Sequence, residues 1–292
     1  MGAYVESDLA AECGCEESSP GVRVTRQETE GCEILRVQIK EREAAERIGK
    51  PCGRYVTLTC GAIHRLSGEV RTATCRALAV ELREMAERLT ARRVDGRFSL
   101  LVVGLGNADM TPDAVGPLTV RHLTVTRHLR GETEMEFPVG GLCEISALAT
   151  GVLGQTGLET AELVRGAVRA VRPDLVIAVD ALSAGETGRL ATTVQLSDTG
   201  IQPGSGVGRG RKALNAETVG VPVLSLGVPT VVNSTTLISD AVWRVNGKRE
   251  HPEAASTPAA HGGFFVAPRE IDLLVTSAGI LLAEAIEKAF SI

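Results

Sequence analysis

The chain has 292 residues, of which 43% are hydrophobic and 23% charged, and its formal net charge is −5. A chain of this length and composition folds as one large globular domain or two small ones with a sizeable core. Its acidic balance leaves no basic excess to neutralise phosphates, which argues against nucleic acid as a general partner.

Residues 1–30 are polar and irregular and read as a flexible arm. Its first 20 residues are acidic without an apolar run, so they are not a secretory signal. Tyr55 to Thr59 reads as a strand. Cys75, Leu78, Leu82, Met85 and Leu89 recur at helical spacing, which predicts an amphipathic helix over 68–91. Phe98 to Val103 is an apolar run between glycines and predicts a buried, parallel strand. Thr111 then has the character of an N-cap and Pro112 that of a first helical residue. That helix is expected to run through Val120 towards Leu129.

Residues 131–157 carry six glycines and read as a long excursion, a small subdomain or a loop near a site. Thr156 to Glu159 has the form of a capping box. Ala161, Val164, Ala167, Val168 and Val171 line one face of the helix after it. Leu175 to Val179 is a second apolar strand ending at Asp180, and Thr192 to Leu196 a polar one. Residues 199–208 form a glycine-rich loop, and Pro222 to Leu226 a third buried strand. A last helix starts at Pro268. Strands alternating with helices predict an α/β fold, a mostly parallel sheet sandwiched by helices. No Pro/Ser-rich linker divides the chain, which favours one domain with insertions. No run of 18 apolar residues is present, so no membrane span is expected.

Seven cysteines, an odd number without framework spacing, suggest a reducing cytoplasmic compartment. His64, His122, His128, His251 and His261 show no metal-ligand spacing, so no metal is expected. The chemistry therefore rests on acids. The apolar strands lead to Asp113 and Asp180, and the carboxyl ends of parallel strands share one edge. If the two strands are neighbours, these acids face each other and can divide acid and base roles. A helix N-terminus favours an ionised Asp113 as base. An apolar strand favours a neutral Asp180 as acid. A purely structural role for each, helix stabilisation for one and capping for the other, fits the same pattern. Asp198 is a third acid at a loop entrance, an accessory or the start of an Asx-turn. Ser205 sits in a Gly-Ser-Gly context of the same loop and not in a nucleophile elbow. The loop itself could cradle an anion or be a set of tight turns.

Taken together, several ordered motifs resemble the germination protease family, the spore endopeptidases that degrade small acid-soluble spore proteins. They are Gly104-Leu105-Gly106-Asn107 with Thr111-Pro112-Asp113 and Gly116-Pro117, Val125 to Leu129, Val179-Asp180-Ala181-Leu182, Ser197 to Gly208, and Leu226 to Val232. The resemblance implies an atypical aspartic endopeptidase with Asp113 and Asp180 as its two essential acids and no cofactor. It implies a fold similar to hydrogenase maturation endopeptidases, a cytoplasmic place in the spore core or forespore, and a homotetramer made as a self-processing zymogen. Ser7-Asp8-Leu9-Ala10-Ala11-Glu12 resembles the acidic-then-aliphatic sequence such enzymes cut, which places cleavage between Asp8 and Leu9. Residues 1–8 are then a propeptide and 9–292 a single α/β protease domain. Arg209 and Asn233 depart from the family pattern, which has Asn and Asp there. The other readings are a hydrogenase-maturation-like protease that senses a metal-loaded substrate and a non-catalytic anion-binding α/β module.

Overall fold

A computed structural model describes residues 7–13, 19–130, 141–203, 212–246 and 264–292. Among these residues nine strands form one sheet: β1 (Val22–Thr29), β2 (Cys32–Ile39), β3 (Gly53–Thr59), β4 (Ser99–Gly104), β5 (Glu144–Ala149), β6 (Leu175–Ala184), β7 (Thr193–Ser197), β8 (Val223–Asn233) and β9 (Phe265–Val266). Their spatial order is β1-β2-β3-β7-β8-β6-β4-β5, with β9 paired to β8. β5, β4, β6 and β8 run parallel to one another. β1, β2, β3 and β7 extend this parallel core as an antiparallel wing.

Helices cover the sheet on both sides: α1 (Arg42–Ile48), α2 (Gly68–Thr90), α3 (Val115–His122), α4 (Leu153–Thr156), α5 (Thr160–Val171), α6 (Ala216–Val219), α7 (Ser234–Asn246) and α8 (Ile271–Ala289). Strand alternation assigns the two faces. Leu100 and Val102 of β4 and Ile177 and Val179 of β6 join one core with Leu78 and Leu82 of α2 and Leu281 and Leu282 of α8. Leu101, Val103, Val176 and Ala178 point the other way, towards Ala161, Val164 and Val168 of α5. Burial on both faces is why these strands are continuous apolar runs. The α/β sandwich expected from those runs is the observed fold.

Several local expectations need correction. The arm does not span residues 1–30, because Val22–Thr29 pairs with β2 along its whole length. Thr111–Asp113 is a separate 3-10 turn, and α3 starts only at Val115. The turn closes through i to i+3 bonds, from Asp113 N–H to Met110 and from Ala114 N–H to Thr111. α3 then ends at His122, where Leu123 turns to extended backbone. No capping box forms at Thr156, because its hydroxyl accepts from Leu158 N–H at 3.2 Å and Glu159 makes no side-chain cap. Such a box does occur at Asn215 and Thr218, opening α6. β5 and α4 lie inside the excursion expected over 131–157, of which 131–140 fall outside the described residues. The last helix begins at Ile271, three residues beyond the expected Pro268.

Candidate active site

The carboxyl edge of the parallel core is shaped by glycines. β4 ends at Gly104, and Leu105 N–H donates to the Val179 carbonyl at 2.8 Å. A Cβ on Gly116 would stand 2.5 Å from that same carbonyl, so only glycine lets α3 approach the β4–β6 crossing this closely. Gly106 has φ of 105°, a left-handed conformation that suits glycine. A Cβ there would lie 2.0 Å from the Asp113 carbonyl. This tight loop aims Asn107 N–H at the Asp113 carboxylate, 2.7 Å from Oδ2. Thr230 Oγ1 donates to the Pro112 carbonyl at 2.7 Å and so seats the 3-10 turn of Asp113 on β8. The turn also packs on β6.

Asp180 does not end its strand. β6 runs on to Ala184 because β8 continues beside it, and Asp180 lies within the strand at 6% exposure. Its Oδ1 accepts from Ala181 N–H at 2.9 Å. Its neighbour across β8 is Gly227, which presents no side chain. Asp113 therefore reaches this edge on a turn packed against β6, and Asp180 reaches it on β6 itself.

Residues 7–13 lie across the same region, and their anchors come from far along the chain. Asp8 N–H donates to the Ser183 carbonyl at 3.1 Å, and Ser183 N–H returns a bond to Asp8 Oδ2 at 2.8 Å. Gln195 Nε2 donates to the Asp8 carbonyl at 2.7 Å, and its Oε1 accepts from Ala10 N–H at 2.6 Å. One side-chain amide thus brackets Leu9 from both sides. Leu9 is fully buried and packs with Leu182, Ala184 and Val232. Glu12 accepts from Gly185 N–H at 2.7 Å and from the Ser7 hydroxyl, and pairs with Arg189 at 3.4 Å. Burial raises the Glu12 carboxyl above its usual value, against the pull of those partners. A cavity of about 320 Å³ opens between this segment and the sheet, lined by Ser7, Asp8, Lys50, Leu182, Gln195 and Gly227 among others. Asp8 and the strand neighbour of Asp180 therefore share one cavity.

The remaining expected site residues are less central. Asp198 Oδ1 accepts from Arg54 N–H at 2.7 Å, and Asp198 N–H returns a bond to the Arg54 carbonyl at 3.2 Å. The pair closes the end of the β3–β7 ladder, and burial raises the Asp198 carboxyl. Ser205 and Arg209 lie outside the described residues. No group of three or more His, Cys, Asp or Glu able to hold a metal ion occurs among the described residues. None of the described helices is long and apolar enough to cross a membrane. Sequence reasoning missed Gln195, Ser183 and Arg189. A signal for the first existed, since Gln195 is a glutamine inside a strand whose every residue is buried, and a buried amide needs partners.

A groove that holds a segment by its backbone, extended at Leu9 and coiled into a 3-10 turn over Ala10–Glu12, next to acids at the carboxyl edge of a parallel sheet, has the layout of a peptidase. Residues 4–254 match the family model described as germination protease. A germination protease of Caldanaerobacter subterraneus subsp. tengcongensis is 35% identical over 98% of this chain and 94% of its own length. One from a Geobacillus species is 43% identical over 84% of this chain and 67% of that relative. A third, from Priestia megaterium, is 44% identical over 76% of this chain and 59% of that relative. The chain belongs to the germination protease family. Among solved structures it is similar to a [NiFe] hydrogenase maturation protease, HycI of Thermococcus kodakarensis, at a TM-score of 0.37 and 18% identity, over 70% of this chain and 98% of that one.

Proposed function

We propose that this chain is an endopeptidase for small acid-soluble spore proteins, working in the cytoplasm of the spore core or forespore as a homotetramer. In this reading it is made as a zymogen that cuts its own chain between Asp8 and Leu9, separating a propeptide, residues 1–8, from a single protease domain. The reading is carried by the seat of residues 7–13. The segment, extended at Leu9 before the 3-10 turn of Ala10–Glu12, is held through Ser183, Gln195 and the Leu9 pocket, and Ser183 lies three strand positions past Asp180. Backbone bonds on both sides of one pocketed side chain are a way to grip a peptide beside the bond that is cut.

Asp113 and Asp180 carry the chemistry as an acid–base pair. Asp113, as carboxylate, takes a proton from a water whose oxygen adds to the scissile carbonyl carbon. Asp180, as carboxylic acid, gives its proton to the carbonyl oxygen. Collapse of the tetrahedral intermediate breaks the C–N bond, and the proton held by Asp113 goes to the leaving amine. As the new carboxyl C=O forms, Asp180 takes back the hydroxyl proton, so the pair returns to its starting protonation state. The Asn107 N–H orients Asp113, and Gly227, opposite Asp180 on β8, leaves its Cβ space to the Leu182 side chain.

The test is incubation of the full chain at mildly acid pH with a small acid-soluble spore protein. The expected result is digestion of that protein together with a shortened chain beginning at Leu9. An unshortened chain in a preparation that digests the spore protein refutes the self-cleavage site.

A further inference from the structure

The loop that aims a backbone N–H at Asp113 is itself held from outside, by a residue of α4. Residues 107–110 fold as a turn. Asn107 Oδ1 accepts from Asp109 N–H at 2.9 Å, and the Asn107 carbonyl accepts from Met110 N–H at 3.2 Å. Gln155 Nε2 donates to the same Asn107 Oδ1 at 2.8 Å and to Asp109 Oδ2 at 3.3 Å. One acceptor is a carbonyl oxygen and the other a carboxylate oxygen, so the Gln155 amide must turn its NH2 towards them. β5 carries Gln155 to this place. Just beyond that strand, Thr150 N–H donates to the Gly104 carbonyl at 3.1 Å, which keeps it beside the end of β4. α4 follows as one closed turn, in which Gln155 N–H and Thr156 N–H donate to the Val152 carbonyl at 2.9 and 3.1 Å. The loop of Asp113 is thus tied at two places. Thr230 of β8 holds the Pro112 carbonyl, and Gln155 holds the Asn107 side chain.

We propose that Gln155 is a positioning residue for peptide hydrolysis: by fixing Asn107 it fixes the N–H that orients the Asp113 carboxylate. This rests on the reading of Asp113 as the base that activates water. Asn107 N–H stands 2.7 Å from Asp113 Oδ2, and it belongs to the residue whose side chain Gln155 grips. With one oxygen held by that N–H, the carboxylate offers a single orientation to the attacking water. Asn107 directly follows Gly106, whose φ is 105°. Glycine's wide conformational range makes this a soft joint. A turn mounted on a soft joint keeps its aim through bonds to a neighbouring element, and Gln155 supplies them. Misplacing a reacting group on the ångström scale costs rate. Gln155 touches no substrate in this account and moves no proton.

The experiment follows steady-state cleavage of a small acid-soluble spore protein by full-length variants across pH, with melting temperatures recorded. Gln155→Met keeps the length of the side chain and loses the donor. It is expected to lower kcat about threefold to tenfold, the weight of one neutral hydrogen bond, with KM little changed. A hydrogen bond to a carboxylate favours its ionised form, so the acid limb of kcat against pH is expected to move to higher pH. Gln155→Glu, which sets an acceptor against two acceptors, is expected to do more of both. Gln155→Lys still donates and is expected to stay near wild type. Asn107→Ala removes the gripped oxygen, so adding Gln155→Met to it is expected to cost nothing further. Wild-type kcat and pH profile in Gln155→Met and Gln155→Glu overturn the positioning role and leave Asp113 standing as the base. A kcat loss that Gln155→Lys shares, or that adds in full to that of Asn107→Ala, overturns it too. Full activity of Asp113→Asn sinks the base itself, and the role of Gln155 with it.

Discussion

Leu105 donates its backbone N–H to the carbonyl oxygen of Val179 at 2.8 Å. Val179 directly precedes Asp180, and Leu105 opens the loop whose Asn107 N–H holds Asp113. The bond therefore couples the backbones that carry the two acids. Gly116 packs against both of its ends, with a Cβ there 2.5 Å from the Leu105 nitrogen and 2.5 Å from the Val179 carbonyl oxygen. Backbone cannot yield as a flexible side chain does. Gly116→Ala is expected to destabilise the fold by about 1–3 kcal/mol, the usual cost of overpacking, and to lower peptidase activity in the molecules that still fold. Thermal unfolding together with a peptide assay checks both effects. Unchanged melting and unchanged activity would contradict this packing.

The N-terminal segment is held largely through Leu9. Leu9→Ala removes a fully buried side chain from the pocket formed by Leu182, Ala184 and Val232. Its cost is expected at about 2–5 kcal/mol, felt in the local opening of residues 7–13 more than in global unfolding. Hydrogen exchange at Ala10 N–H reports it directly, because that amide donates to Gln195 Oε1. Exchange is expected to quicken at Ala10 while the amides of β4 and β6 keep their protection.

Gln195 makes two bonds to the segment through one side chain. Gln195→Leu keeps the volume and loses both bonds, leaving the Asp8 carbonyl and Ala10 N–H without them. A loss of about 1–3 kcal/mol in holding the peptide follows. In steady-state cleavage of a peptide it is expected as a raised KM with kcat little changed. A fall in kcat alone would show that Gln195 does something other than grip the strand.

The Asp198 carboxyl gives a pH signature. Burial raises it above its ordinary 3.8, against the Arg54 N–H and guanidinium that pull it down. The folded protein thus binds this proton more tightly than the unfolded chain does. The resulting stability is full below the unfolded value and is lost as pH rises through the raised folded value. Asp198→Asn lacks this linkage. The melting temperature of the wild type relative to the variant is expected to rise as pH is lowered through the raised value towards 3.8. A difference that does not vary with pH over that window contradicts the burial of a titrating Asp198.

The strands that carry the acids were legible because both faces of β4 and β6 are buried, which makes them unbroken apolar runs. The extension of β6 through Asp180 was not, since an acid inside a strand reads locally as its end. β1 was hidden for a related reason: only Val24 of its eight residues is buried, so the strand shows no apolar pattern. Thr111 and Pro112 announced a helix start correctly in kind but early. The close approach of Gly116 to β6 is a tertiary fact that sets where α3 begins. The family motifs pointed to Asp113, Asp180 and the Asp8–Leu9 bond. They carried no trace of Gln195, Ser183 or Arg189, whose partners in the N-terminal segment lie more than 170 residues away in the chain.

The central claim is that Asp113 and Asp180 together hydrolyse peptide bonds. Asp113→Asn and Asp180→Asn keep the size of each side chain and remove its ability to take or give the proton. Hydrolysis of a small acid-soluble spore protein by each purified full-length variant, with melting temperatures recorded alongside, is the direct measurement. The account predicts a fall of at least about a hundredfold in either variant, the usual weight of one acid–base group, with the fold retained. Near-wild-type hydrolysis by either variant would contradict it.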